Sequence, residues 1–255
     1  MFYGYKYNSW RHTFYLFGGF GVILGIVLYF RMKNAVVVRK NSQYSIKNAT
    51  VKEALIVFFR NPTAILLALA FAGMQFVGVG FLTWMPTFLH ETFDFSLARS
   101  GFDSTFYHHV AAFIGVIGGA RIADSWVKRY NKVRAIIQAV GLLLGAPFIY
   151  TMAKADSILT VYVAMAFFGL FRGMYDSNIF ATLYDVIEVR YRSAATGFML
   201  MFAFIVGSIS PYLLGVLKPV LGLSDGLASL SIVYLFAAIC ILFVICFTFR
   251  RDYVK

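Results

Sequence analysis

Residues 63–86 read TAILLALAFAGMQFVGVGFLTWMP, 24 residues without a Lys, Arg, Asp or Glu. Wound as an α-helix at ~1.5 Å per residue, the run reaches ~36 Å, enough to cross a hydrocarbon core of ~30 Å. Asn61-Pro62 stands at its start, where a proline lacks only an amide that the first helical turn leaves unpaired anyway. Six further stretches have similar length and apolarity: 13–31, 98–120, 135–153, 158–184, 193–217 and 226–249. The chain is 60% hydrophobic and 13% charged, too little charge to cover a soluble domain of 255 residues. The expected fold is an all-α membrane protein with seven transmembrane helices. Lys218-Pro219 is expected to close the sixth span.

The net charge of +12 is distributed by loop rather than gathered into one basic stripe, which argues against nucleic acid as a partner. Segments 31–62, 121–134, 185–195 and 250–255 together hold 17 Lys and Arg, whereas 1–12, 86–105, 152–157 and 218–225 hold 5. The two sets alternate along the chain. Basic loops stay on the cytoplasmic side, so the expected arrangement is a multi-pass cell-membrane protein, N-terminus outside and C-terminus cytoplasmic. Lys6 and Arg11 precede an apolar run, but that run is long, Gly-broken and without a small-x-small cleavage site, unlike a cleaved leader.

The long connection 32–62 contains Thr50-Val51-Lys52-Glu53, a capping-box pattern, followed by apolar Ala54, Leu55, Val57, Phe58 and Phe59. The segment reads either as a short helix on the membrane surface or as an extension of the second span into water. Four GxxxG pairs, Gly21/Gly25, Gly115/Gly119, Gly141/Gly145 and Gly169/Gly173, suit close helix packing. Cys240 and Cys246 lie six apart in the last span and are not expected to pair.

Enzyme signatures are absent: no nucleophile elbow, P-loop or HExxH pattern occurs. His108 and His109 are adjacent, so they point ~100° apart on a helix and cannot chelate one metal. No cofactor or metal is expected. The fifth span, in contrast, reads Gly169-Leu170-Phe171-Arg172-Gly173-Met174-Tyr175-Asp176-Ser177-Asn178. A charge at the centre of a span costs at least ~2.5 kcal/mol, so Arg172 needs a water-filled cavity or a partner. Asp176, one turn on, is either part of a solute or proton site with Tyr175 and Asn178 or simply the neutralising partner of Arg172. The third span adds Asp103, Tyr107, His108 and His109 on a helix that Ser96 would cap and that would reach Asp124. Gln75 is a further solute contact or an interhelical hydrogen bond. Arg172, Asp176, Tyr175, Asn178, Gln75 and His108 are thus the candidate solute-binding residues, with Asp176, His108 and Asp103 the candidates for proton coupling.

After the third span comes Gly119-Ala120-Arg121-Ile122-Ala123-Asp124-Ser125-Trp126-Val127-Lys128-Arg129. This resembles the cytoplasmic motif Gly-x-Leu-Ala-Asp-Arg-x-Gly-Arg-Arg of the major facilitator superfamily. Ile122, Ala123, Asp124, Lys128 and Arg129 match, whereas Ala120, Ser125 and Val127 depart from it. Trp10-Arg11 and the Gly-rich run to Phe30 are similar to the sixth helix of that family. Arg192-Ser193-Ala194-Ala195-Thr196-Gly197, with Pro211 and Gly215 beyond, is similar to the eleventh. The resemblance implies helices 6–12 of a twelve-helix fold: a sixth-helix-like span at 1–31, an interhalf linker at 32–62 and a six-helix half at 63–255. It further implies a secondary active transporter similar to bacterial sugar and organic-anion symporters. Such a protein moves a small polar solute, coupled to protons or another ion, by rocking two halves around a midplane site. Asp124, Lys128 and Arg129 would latch the cytoplasmic face. On this reading an N-terminal half is missing from the chain and is a required partner. A seven-helix receptor shares the topology and is the alternative; an integral membrane enzyme would need a reactive pair that the sequence does not offer.

Overall fold

A computed structural model describes residues 9–31 and 50–254. The expected stretch 1–8, most of the 32–62 linker and Lys255 lie outside the described residues. The chain divides into two units, Met1–Ser45 and Ile46–Lys255. The described part of the first is one helix, α1 (Ser9–Arg31), apolar and long enough to cross a membrane.

The second unit is a helical bundle: α2 (Val51–Arg60), α3 (Pro62–Phe93), α4 (Leu97–Trp126), α5 (Val133–Lys154), α6 (Ile158–Asp176), α7 (Ile179–Val186), α8 (Arg192–Phe243) and α9 (Phe249–Asp252). Asn61 takes extended dihedrals between α2 and α3, and its carboxamide oxygen accepts from Ala64 N–H at 2.9 Å. α2 is therefore a separate helix rather than an extension of the second span, and Glu53 accepts from Thr50 N–H at 3.4 Å at its start. Asp252 Oδ2 accepts from Thr63 N–H at 3.2 Å and from the Thr63 hydroxyl at 2.8 Å. A carboxylate from the end of the chain thus sits on the positive N-terminus of α3. Ser96 caps α4 as expected, accepting from Arg99 N–H at 3.3 Å, and α4 runs past Asp124.

Two boundaries differ from expectation. The sixth span does not close at Lys218-Pro219; the helix continues to Gly222, whose φ of 80° and ψ of 163° break α8 into arms 192–221 and 223–243. A proline inside a helix removes one hydrogen bond and bends it, whereas those dihedrals lie where only glycine is comfortable. The fifth span is also interrupted, at Ser177-Asn178 between α6 and α7. Counting both arms of α8, the described residues carry seven spans: α1, α3, α4, α5, α6–α7 and the two arms.

Five helices are long and apolar enough to cross a membrane by composition alone, one of them the unbroken stretch Val189–Asp252, which Gly222 divides. α4 falls short of that apolarity because Asp103, His108, His109 and Arg121 interrupt it. It is nevertheless fully integrated, packed along α6. α3 lies between the two arms of α8: Gly80 meets Ser210 and Leu214 of the first arm, whose Gly207 in turn meets Gln75 and Val79, and Gly73 meets Ala237 of the second. α5 bridges α6 and the second arm. Beyond α8 the helix widens into a π-turn, Val244–Thr248. Large apolar side chains such as Phe113, Tyr212, Val220 and Ile232 remain exposed, as a lipid-facing surface requires.

α4 and α6 approach each other backbone to backbone. A Cβ at Gly115 would overlap the Leu170 carbonyl, at Gly169 the His108 carbonyl, and at Gly173 the Ala112 carbonyl. Two of the GxxxG pairs thus face each other backbone to backbone. That approach sets where His108 and Arg172 meet.

Candidate functional site

Arg172 lies near the middle of the α6–α7 span, and three helices define its surroundings. Its guanidinium rests on the backbone of α3 at Gly78, where a Cβ would fall 2.8 Å from both terminal nitrogens. Glycine at that point makes room for the planar group. From α4, His108 approaches, with its Nε2 3.5 Å from Arg172 Nη1. Arginine has only donors, so a hydrogen bond here requires Nε2 to accept and the ring proton to sit on Nδ1. Along α6, Asp176 Oδ2 is 3.6 Å from Arg172 Nε. The pair is loose, and it is not sealed: the Arg172 side chain is 15% exposed and that of Asp176 37%.

His108 itself is almost fully buried, with the tilted rings of Phe81 and Phe168 at 5.1 and 5.0 Å. Its Nδ1 has no hydrogen-bond partner among the described residues, and neither do the hydroxyls of Tyr175 and Tyr234. A buried polar group without a partner costs about 1–3 kcal/mol. Three such groups around one charged pair mark a region kept polar at the expense of stability.

The candidates separate into groups. Arg172, His108 and Asp176 come together. Gln75 is half-buried on α3, one turn from the Gly78 contact, and makes no hydrogen bond among the described residues. Tyr175 is fully buried, with its backbone nitrogen and Cβ against Gly141. Asn178 uses its amide on Met174 O at 3.1 Å and Ser177 Oγ at 2.8 Å, at the break between α6 and α7. Asp103 belongs to a different cluster, accepting from Tyr162 OH at 2.5 Å and Arg99 Nε at 3.2 Å. It stands about 7.5 Å along α4 from His108. His109 points outward, with its ring at 88° to that of His108 and its Nδ1 on Thr105 O.

Asp124, Lys128 and Arg129 are exposed at the end of α4 and just beyond it, and none forms an ion pair among the described residues. At this end of the bundle the polar contacts between elements are made by other residues. Arg134 holds Asp185 through two bonds of 2.9 and 3.0 Å, Asn61 donates to Val186 O, and Arg192 donates to Tyr184 O and Ile187 O.

Tyr234 is the residue that sequence reasoning missed. It sits on the second arm of α8, fully buried, against Gly145 and 5.6 Å from Phe168. Its signal was available: a tyrosine at mid-span, away from the interfacial belt where tyrosines ordinarily lie.

The comparisons agree with this architecture. The Major Facilitator Superfamily profile matches residues 2–211. Protein spinster homolog 1 of Xenopus tropicalis is 26% identical over 228 residues, 83% of this chain and 43% of that protein. The hexuronate transporter of Bacillus subtilis is 24% identical over 238 residues, 86% of this chain and 53% of that protein. The chain thus spans about half the length of the curated relatives it matches. Among solved structures, a bacterial homolog of the human lysosomal transporter Spinster, inward-facing and unoccupied, superposes with a TM-score of 0.76 at 18% identity, covering 100% of this chain and 63% of that one. Fold, helix order and family profile converge, and the chain belongs to the Major Facilitator Superfamily.

Proposed function

We propose that α3–α9 form one wall of the solute pathway of a secondary transporter, with Arg172 as the group that holds the solute. The observation that carries this is the open ion pair. A guanidinium at mid-span is placed beside a half-open carboxylate and a buried imidazole, when a closed pair would have served packing alone. The planar fork of Arg172 suits a carboxylate, and Gln75 one turn away suits a hydroxyl. A sugar acid or another small organic anion combines both, and the hexuronate relative gives that class support. Asp176 and His108 are the proton-coupling candidates, because solute arriving at Arg172 would compete with both for the same guanidinium. Asp103, bound by Tyr162 and Arg99, is a weaker one. The basic loops face the cytoplasm on this reading, and a second helical half closes over the wall so that access alternates.

Uptake of labelled glucuronate into proteoliposomes tests the proposal, with the chain alone and with a family N-terminal half co-reconstituted. Saturable, gradient-dependent uptake that requires the second half is expected. Binding and uptake of neutral sugars in preference to sugar acids would overturn the assignment to Arg172.

A further inference from the structure

Between the turn that joins α4 to α5 and the end of the chain lies a cleft of about 850 Å³. Arg129, Lys132 and Arg250 line it together with Tyr130 and Tyr253. Among the described residues no carboxylate lines it. Asp252, the acidic residue closest in sequence, is turned toward Thr63 and Arg251. Arg129 and Arg250 have no carboxylate partner among the described residues, while Lys132 Nζ is anchored at 2.5 Å on Ile245 O. Three cations thus converge without a counter-charge, one of them fixed in place.

The level of the cleft follows from its neighbours. Trp126 and Tyr130 stack at 6.1 Å and are both about half exposed, as residues of the aromatic belt at the membrane interface are. Ile136, which lines the cleft, and Val140, one turn further along α5, are exposed apolar side chains on the way into the span. The cleft therefore opens upward on headgroups and sideways on acyl chains. A free anion would use only the first of these; a phospholipid uses both.

We propose that this cleft binds the phosphate of an anionic phospholipid, with Arg129, Lys132 and Arg250 around the phosphate and an acyl chain along Ile136 and Val140. The site lies apart from Arg172 and does not depend on the transport reading.

The full chain, purified in detergent, is titrated with phosphatidylglycerol and with phosphatidylcholine, and bound lipid is counted by native mass spectrometry. Each basic residue near a membrane surface contributes about fivefold to anionic-lipid affinity, so Arg129→Gln/Arg250→Gln is expected to bind phosphatidylglycerol roughly 25-fold more weakly. Lys52→Gln/Arg60→Gln, which removes the same charge from α2, is expected to change it less than twofold. Arg129→Lys/Arg250→Lys keeps the charge and guards against a folding defect; it should retain most of the binding. Equal binding of the two lipids by the unaltered chain would overturn the proposal, as would equal loss in the α2 variant. If millimolar inorganic phosphate displaces phosphatidylglycerol completely, the site belongs to a soluble anion and the lipid assignment fails.

Discussion

Substituting Gly173 by alanine adds one methyl group at the α4–α6 seam. The new Cβ would meet backbone on every side: the Ala112 carbonyl, and Val116 N at 2.8 Å. Ordinary contact begins at 3.4 Å, so the nitrogen alone demands that the seam open by at least 0.6 Å, and no side-chain rotation can relieve it. A radial gap of about 0.5–1 Å forfeits roughly a quarter to a half of the dispersion energy of each pair it separates. Overpacking of this kind costs about 1–3 kcal/mol, and the upper end is expected here because two helices must move as bodies. Gly118→Ala is the matched control. It stands on the same helix as Gly115 and Gly119, but its Cβ would meet nothing within 4 Å. Alanine in an open helix position gains up to about 1 kcal/mol over glycine. Unfolding in detergent, followed by circular dichroism against denaturant, should therefore move the two variants in opposite directions. If Gly173→Ala and Gly118→Ala unfold alike, the backbone-to-backbone seam is not what holds α4 to α6.

At Gly222, alanine would have to adopt a φ of 80° and a ψ of 163°, a conformation costing a non-glycine residue about 1–3 kcal/mol; a lowered midpoint with an unchanged core is expected in the same assay. Asp252→Asn keeps the shape but removes the charge from the start of α3, and a loss of about 0.3–1 kcal/mol should appear that shrinks as salt is raised. Single cysteines at Ser42 and Ser224 should label from opposite faces of the membrane, Ser42 from the cytoplasmic one; labelling of both from outside would reverse the topology.

Much of this architecture could be read in advance, because it rests on local chemistry. The charge-free run 63–86 announces a span, Asn61-Pro62 its start and Ser96 a cap, and each is a statement about neighbouring residues. The GxxxG pairs also predicted close packing, though which helices they would join could not be known. What escaped depends on partners distant in the chain. Asp252 sits on α3 because the chain's end folds back 189 residues to Thr63. Lys218-Pro219 carried the stronger breaking signal, yet a helix end tolerates proline as a bend, while Gly222 supplied the dihedrals that turn the chain. Within the site, Arg172 and Asp176 were legible from i, i+4 spacing, and His108 only as one of two adjacent histidines. The choice between those two is made by the glycine seam, which carries His108 to Arg172 and leaves His109 outside. Asn178 shared the Arg172 segment but not its face, since a helix turns ~100° per residue and breaks at Ser177.

Arg172 is the residue on which the proposed solute site most directly depends. In proteoliposomes that take up glucuronate, Arg172→Lys preserves the positive charge but lacks the planar fork with which the proposed site would grip a carboxylate. Charge-assisted hydrogen bonds of that kind are worth about 1.5–3 kcal/mol, so the apparent affinity should fall by roughly 10- to 100-fold at equal protein incorporation. An unchanged affinity and rate in the lysine variant would contradict a solute-holding role and leave Arg172 with Asp176 as a packing pair.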